Sequence, residues 1–196
     1  MNRARLGAAG GFLVVVLGCS GARDVATTAR QVAVETKEVI TEPEMPCDKQ
    51  VDNSPPISCI SGRLTCGQII EGTTEGGDSE WGDIFYAEKF CIPALDGHQG
   101  PERVYVFEAP AQASVAVKLV SECADLDILG LRYQYTGVCP DRGSAIPQCE
   151  GDNHRGGGKI MIETFDRPET WLIAVDGKGG ATGTFRLKVE CDMTPR

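Results

Sequence analysis

Cysteine content constrains this chain more than any other feature of its sequence. The 196 residues include nine cysteines, and eight of them lie between Cys47 and Cys191. The shortest spacing, from Cys59 to Cys66, is too long for the Cys-x-x-Cys pairs of zinc sites. An even number of cysteines without such pairs predicts four disulfide bridges in an exported protein. The number alone leaves their connectivity open.

The N-terminal residues provide the evidence for export. Arg3 and Arg5 precede an uncharged, mostly apolar run from Leu6 to Leu17. Such a run is typical of a signal peptide and is too short to span a bilayer. Its end, Val16-Leu17-Gly18-Cys19, resembles the bacterial lipobox, with Val16 where leucine is usual. The resemblance implies cleavage after Gly18 and acylation of Cys19. The alternative is an ordinary signal peptide with an accidental cysteine.

The lipobox resemblance predicts both a location and a first partner. Acyl chains on Cys19 would anchor the protein in a lipid bilayer, since each buried methylene contributes about 0.8 kcal/mol. Ser20, not aspartate, follows the cysteine. In the sorting logic of such lipoproteins, this implies transfer to the outer membrane, with the protein periplasmic or surface-exposed. Lipidation of Cys19 also leaves the even set of eight cysteines.

The acidic charge of the chain and its lack of a phosphate-binding loop each exclude one class of partner. There are 28 acidic and 19 basic residues, a formal net charge of -9. Because no basic patch is available to neutralise phosphates, nucleic acid is excluded. The glycines at 156–158 precede Lys159 and then Ile160, without the Ser or Thr of a phosphate-binding loop. A nucleotide is therefore excluded as well.

Composition divides the chain into four parts. Residues 1–18 are the signal peptide, 19–46 a lipidated tether, 47–191 the folded domain and 192–196 a tail. The tether contains no aromatic residue and ends in a Pro- and Glu-rich stretch. Apolar residues at roughly helical spacing leave a partner-binding helix as the alternative for this segment; they are Val25, Ala29, Val32 and Val39.

Alternation of apolar and polar residues predicts that the folded domain is all-β. The clearest runs cover residues 115–119, 159–163, 171–175 and 185–191. A glycine-rich turn is expected at 176–180, between the last two runs, because glycine readily takes positive φ. Several short strands of this kind predict a disulfide-stapled antiparallel β-sandwich or jelly roll.

One predicted strand, Asp125–Tyr133, does not follow the simple alternation. Its early apolar residues have even numbers, whereas Leu129, Leu131 and Tyr133 have odd numbers. Either both faces of the strand are covered, or a bulge near Gly130 switches the register.

The second half of the sequence resembles the bacterial pre-peptidase C-terminal domain over roughly residues 60–191. The matching stretches are Cys66–Thr74, Gly100–Phe107, Ala124–Asp127, Cys139, Cys149–Asn153, Trp171–Gly177 and Gly183–Val189. The resemblance implies an accessory, non-catalytic β-sandwich with a Cys139–Cys149 disulfide. The chain departs from the family at Glu150-Gly151-Asp152, where two adjacent acids are common. We also expect a Cys66–Cys91 bridge and leave the other four cysteines unassigned.

Acidic residues supply weak candidates for a metal site. Asp125, Asp127 and Asp152 offer hard oxygen ligands for calcium, as do the acids of 78–83. No complete calcium-binding loop is visible, so the alternative is a solvated acidic surface. No other cofactor is expected.

Aromatic residues supply candidates for sugar stacking. Tyr133, Tyr135 and Trp81 are the candidates, with Trp81 expected at the surface because it lies among Asp and Gly. Trp171 belongs to an alternating run and is expected in the core.

No set of residues in the sequence converges on catalysis. His98 and His154 both lie beside glycines in expected loops. We therefore expect a non-catalytic surface binding or adhesion module, which contacts an unidentified protein or glycan through the loops at Asp78–Asp83 and Asp152–Gly158. The alternatives are a structural or assembly subunit of an envelope complex and a calcium-dependent glycan-binding domain.

Overall fold

The structure is a computed structural model that describes residues 46–56, 58–92 and 97–193. These residues form nine strands and one short helix. The predicted signal peptide, Cys19 and the predicted tether up to residue 45 lie outside the described residues. Among the described helices, none has the length and apolar character needed to cross a membrane. The elements in chain order are β1 Ile60–Leu64, β2 Ile69–Thr73, α1 Asp83–Glu88, β3 Arg103–Ala109, β4 Ser114–Val120, β5 Leu126–Arg132, β6 Cys149–Asp152, β7 Gly157–Glu163, β8 Glu169–Gly177 and β9 Thr184–Asp192.

The strands form two sheets packed as a β-sandwich. One sheet has five strands in the order β1-β3-β8-β5-β6, and the other has four in the order β2-β9-β4-β7. All neighbouring strands are antiparallel except β1 and β3, which run parallel. The predicted all-β, disulfide-stapled sandwich is confirmed, with this one parallel pair as the departure.

The interior between the sheets is built from the predicted alternating runs. Val115, Val117 and Leu119 of β4 are buried, whereas Ala116 and Lys118 between them are partly exposed. The same pattern holds in β7 and β9, because each of these strands has one face toward the core and one toward solvent.

The turn after β8 is also confirmed, and its two residues with positive φ are Gly179 and Gly180.

Strand β5 resolves the ambiguity of the Asp125–Tyr133 segment. It pairs with β8 in one continuous register, from Leu126 opposite Gly177 to Arg132 opposite Trp171, without a bulge. Leu126 and Ile128 face the interior between the sheets, and Leu129 and Leu131 belong to a second core. Both faces of β5 are therefore covered, and this explains why its apolar residues follow no single parity.

The second core lies on the outer face of the five-stranded sheet. The segment Trp81–Ile92, called here the covering segment, packs Trp81, Phe85 and Tyr86 against apolar residues of β3, β5 and β8. The Trp81 ring stacks on Phe85 at 5.1 Å, and its indole N–H donates to the carbonyl of Pro140 at 2.9 Å. The expected exposure of Trp81 is wrong, since only 3% of it is exposed. A large apolar side chain gains about 1.5–3 kcal/mol on burial.

Four disulfides cross-link the sandwich, as the cysteine count predicts. Both specific pairings expected from the sequence are wrong, because Cys149 on β6 lies beside Cys91 of the covering segment, and Cys66 lies beside Cys191 on β9. The partners are 58 to 125 positions apart in the chain, so the fold and not sequence proximity determines them. The four bridges are Cys47–Cys123, Cys59–Cys139, Cys66–Cys191 and Cys91–Cys149.

Candidate functional site

A groove of about 780 Å³ opens at the end of the five-stranded sheet, where β5 ends and β8 begins. Three segments line it, at residues 132–135, 144–147 and 167–170. Its volume falls within the range of about 300–1,000 Å³ typical of small-ligand sites. We call it the Tyr135 groove.

Backbone hydrogen bonds hold the three segments of the Tyr135 groove together. The Arg132 N–H donates to the Gln148 carbonyl at 2.9 Å, and the Tyr133 N–H donates to the Thr170 carbonyl at 3.0 Å. These bonds continue the pairing of β5 with β6 on one side and with β8 on the other. The groove is therefore attached to two interior strands of its sheet, β8 and β5, which favours a pre-formed site.

Two tyrosines give the groove an aromatic wall. Tyr133 is buried in the second core, whereas 57% of Tyr135 is exposed. Their rings meet edge to face, with centroids 5.3 Å apart and planes at 66°. Both residues follow the end of β5 at Arg132, and the course of the chain there brings the two rings into contact. The sequence identified both residues as candidates, and the structure brings them together.

The charged residues of the groove are two arginines and one glutamate. Arg132 donates from Nη1 to Oε1 of Glu169 at 2.8 Å, in a partly buried ion pair. Arg167 is exposed and makes no ion pair with any residue in the described part of the chain. The groove thus has an excess of positive charge in a chain whose formal net charge is -9.

The arginines are functional candidates that the sequence did not reveal. Arg132, Arg167 and the 144–147 segment are separated in the chain and meet only in the fold. Arg132 ends β5 and Arg167 precedes β8, so the two lie at the same end of the β5–β8 pair, but recognising this requires knowledge that β5 and β8 are neighbours.

A second polar cluster lies under the covering segment and is closed to solvent. His98 is fully buried and donates from Nε2 to Oδ2 of Asp127 at 2.7 Å. Its Nδ1 lies 3.3 Å from Oδ1 of Asp83, which also accepts the backbone N–H of His98 at 2.8 Å. Burial alone lowers the pKa of His98. Three other effects together raise the pKa of His98 by more than burial lowers it, so the net shift is upward. They are the hydrogen bond from His98 to Asp127, the charges of Asp176 and Asp127, and the contact with Asp83.

Two more carboxyl groups belong to this cluster. Asp176 lies directly opposite Asp127 across the β5–β8 pair and accepts the Tyr86 hydroxyl at 2.8 Å. Burial raises the pKa of Asp176 to about 6. Glu102 accepts the backbone N–H groups of Glu80 at 2.8 Å and of Trp81 at 3.0 Å, and burial raises its pKa to about 8. Burial also raises the pKa of the Tyr86 hydroxyl well above its ordinary value.

This buried polar cluster has a structural role and not a catalytic one. The side chains of His98 and Asp127 have no exposed surface, so no substrate atom can reach them without opening the covering segment. Their hydrogen bonds connect that segment and the loop before β3 to β5. His154 is exposed but lies outside the Tyr135 groove and contacts Asp152. Among the described residues that line the groove there is no histidine to act as a base.

Of the weak calcium candidates Asp125, Asp127 and Asp152, the last two are bound by other protein groups. Asp127 is engaged by His98, and Lys178 lies 3.7 Å from the same oxygen. Asp152 contacts His154 and accepts the Lys159 N–H at 2.8 Å. No three His, Cys, Asp or Glu residues within 46–56, 58–92 and 97–193 are grouped so as to hold a metal ion. Calcium binding stays a prediction that rests on composition alone.

The loop at Asp78–Asp83 differs from the expected contact surface. Its Trp81 and Asp83 point toward the sheet, where Asp83 accepts the N–H groups of Gly97 and His98. The loop at Asp152–Gly158 keeps His154 and Arg155 exposed, so it remains accessible.

Comparisons with known proteins give only distant structural similarity. No family model and no curated protein matches the chain. Among solved structures it is similar to the pre-peptidase C-terminal domain of a collagenase from Bacillus anthracis, with a TM-score of 0.42 and 13% identity over 72% of this chain and 100% of that one. It is also similar to PliG, a periplasmic inhibitor of g-type lysozyme from Aeromonas hydrophila, with a TM-score of 0.40 and 11% identity over 71% and 100% of the two chains.

The first of these structures belongs to the domain family that the second half of the sequence resembles. Neither match brings a ligand, a partner or an activity to this chain. The site geometry described above is therefore the basis for a functional assignment: a disulfide-stapled all-β sandwich with one aromatic and cationic groove.

Proposed function

We propose that this protein is a non-catalytic binding module of the bacterial cell envelope, anchored to the outer membrane through Cys19, and that it binds its ligand in the Tyr135 groove. The observation that carries the proposal is the pairing of an exposed tyrosine ring with an exposed arginine, Arg167, in one groove of a cross-linked scaffold. Tyrosine and arginine are the residue types enriched where proteins bind partners.

Rigidity supports a binding role. The Tyr135 groove begins directly at β5 and β8, and the bridge Cys59–Cys139 ties the chain that follows Tyr135 to the residue before β1. A site that is ordered before binding loses little conformational entropy when the ligand arrives. The groove offers recognition groups, whereas its lining lacks a paired nucleophile and base.

The disulfides support the envelope location. Four bridges form among the described cysteines, and such bridges persist in oxidising compartments such as the periplasm and the cell surface. The lipid anchor rests on the lipobox resemblance at Cys19 alone.

The proposal is tested by measuring binding of the full-length protein, purified in detergent, to fractionated cell envelopes. The test variant is the double substitution Tyr135→Ala/Arg167→Gln. The matched control is Phe165→Ala/Arg63→Gln, since both residues are exposed and neither lines the groove. We expect the wild type and the control to bind the same glycan or protein fraction, and the groove variant to lose at least tenfold in affinity.

Two results would overturn this proposal. Equal binding by the groove variant would remove the Tyr135 groove from the interaction. The protein could instead bind no envelope fraction and be found in a stable complex that forms equally well with the groove variant. That result would favour a structural subunit.

A further inference from the structure

We infer that the ligand of the Tyr135 groove is a short acidic oligosaccharide, with a sugar ring on Tyr135 and its carboxylate on Arg167. This inference rests on the proposed function and adds the chemical class of the ligand.

The positive charge of the groove lining indicates an anionic ligand. The chain carries 28 acidic and 19 basic residues, so its average surface repels anions. The lining of the Tyr135 groove reverses this balance, with Arg132 and Arg167 against Glu169 alone. Glu169 is already paired with Arg132, which leaves the Arg167 guanidinium without a counter-charge in the described residues. A planar guanidinium matches a carboxylate with two parallel hydrogen bonds, so an acidic ligand completes the site.

The aromatic wall is the second argument. The Tyr135 ring is more than half exposed, and its contact with Tyr133 holds it at a set angle. A flat exposed ring next to hydrogen-bonding groups fits a ligand that has both apolar C–H faces and hydroxyl edges, and a pyranose has both. Because Tyr133 is buried in the second core, it keeps the wall in place before binding.

The remaining lining favours a sugar over a peptide. Gln134, Ser144 and Thr170 add donors and acceptors, whereas Ile146 is the largest aliphatic side chain of the groove. A peptide ligand needs deep apolar pockets for its anchor side chains. A short chain of hydroxyl-rich rings fits both the size and the polarity.

The test uses acidic sugars with neutral counterparts. Trigalacturonic acid is compared with galactotriose, and sialyllactose with lactose, by titration calorimetry on the full-length protein in detergent. We expect at least one acidic sugar to bind about tenfold or more tightly than its counterpart, since a charge-assisted hydrogen bond is stronger than a neutral one. Arg167→Gln should remove that preference. Tyr135→Ala should weaken acidic and neutral sugars alike, by about three- to tenfold.

The controls separate the outcomes. Arg63→Gln and Phe165→Ala should leave every affinity unchanged, since both residues are exposed and lie outside the groove lining. Equal affinity for acidic and neutral sugars, failure of both acidic sugars to bind, or equally tight binding of triglutamate would each overturn the acidic-oligosaccharide inference. If binding to the envelope fraction still depends on Tyr135 and Arg167 in that case, the proposed binding function stands. If that binding does not depend on them, the proposed function and the acidic-oligosaccharide inference both fail.

Discussion

His98 and Asp127 form a hydrogen bond of 2.7 Å between two side chains with no exposed surface, and this bond joins the loop before β3 to the interior strand β5. Asp83 from α1 contacts the other ring nitrogen of His98. The covering segment is therefore connected to the sheet through the buried imidazole of His98, which lies between the carboxyl groups of Asp83 and Asp127, as well as by its apolar side chains and the Cys91–Cys149 bridge.

Removing the imidazole should destabilise the fold strongly. His98→Ala leaves Asp127 buried without its partner, and breaking a buried pair costs about 3–5 kcal/mol. The control His154→Ala removes a histidine whose side chain is 85% exposed, and it should change the free energy of unfolding by less than about 0.5 kcal/mol. Urea denaturation measures both. Similar small losses for the two variants would contradict a structural role for the His98 pair.

The buried cluster should make the protein more stable in mild acid than in mild alkali. The pKa of His98 is raised above 6.5, that of Asp176 from 3.8 to about 6, and that of Glu102 from 4.5 to about 8. Each group binds its proton more tightly in the folded state than in the unfolded state, so stability falls as pH rises through these ranges. We expect Tm to decrease between about pH 5 and about pH 8.

The double variant Asp176→Asn/Glu102→Gln is the control for this pH dependence. It keeps hydrogen-bond acceptors for Tyr86 and for the backbone N–H groups, but it removes both titrating carboxyl groups. Its Tm should decrease less steeply over the same range, because the raised pKa values of His98 and His154 remain. A wild-type Tm that rises toward pH 8 would contradict the assigned pKa directions.

The strands could be predicted from the sequence where one face of the strand is buried and the other faces solvent. In β4, β7 and β9 this produces strict alternation, whereas β5 carries apolar residues on both faces and so obscures its register. The surroundings of Trp81 in the sequence are polar, but its burial depends on an apolar sheet face contributed by distant strands. Tyr135 was identifiable as a candidate; Arg167 was not, because only the pairing of β5 with β8 brings it near.

The disulfide connectivity also depends on the fold, and it provides a direct test. Mass spectrometry of unreduced peptides should find Cys91 linked to Cys149 and Cys66 linked to Cys191. Replacing Cys91 and Cys149 together by serine should cost about 4 kcal/mol, since the bridge closes a long loop of the unfolded chain. A peptide linking Cys139 to Cys149 would contradict this arrangement.

The lipid anchor is tested by metabolic labelling. In a bacterial host that is fed labelled palmitate, the wild-type protein should carry the label, because the residues before Cys19 resemble a lipobox. Cys19→Ser should abolish the label and release the protein from the membrane fraction. A labelled Cys19→Ser protein would contradict lipidation at this position.

The regular register of β5 predicts a specific packing constraint at Gly130. A Cβ atom at this position would lie 2.6 Å from Cδ1 of Ile160, which is itself buried in the core between the sheets. Gly130→Ala should therefore destabilise the protein by about 1–3 kcal/mol, the usual cost of overpacking. The control Gly137→Ala places its Cβ where no atom lies within 4 Å, and it should be neutral or slightly stabilising. Urea denaturation distinguishes the two, and unchanged stability of Gly130→Ala would mean that Gly130 does not face Ile160.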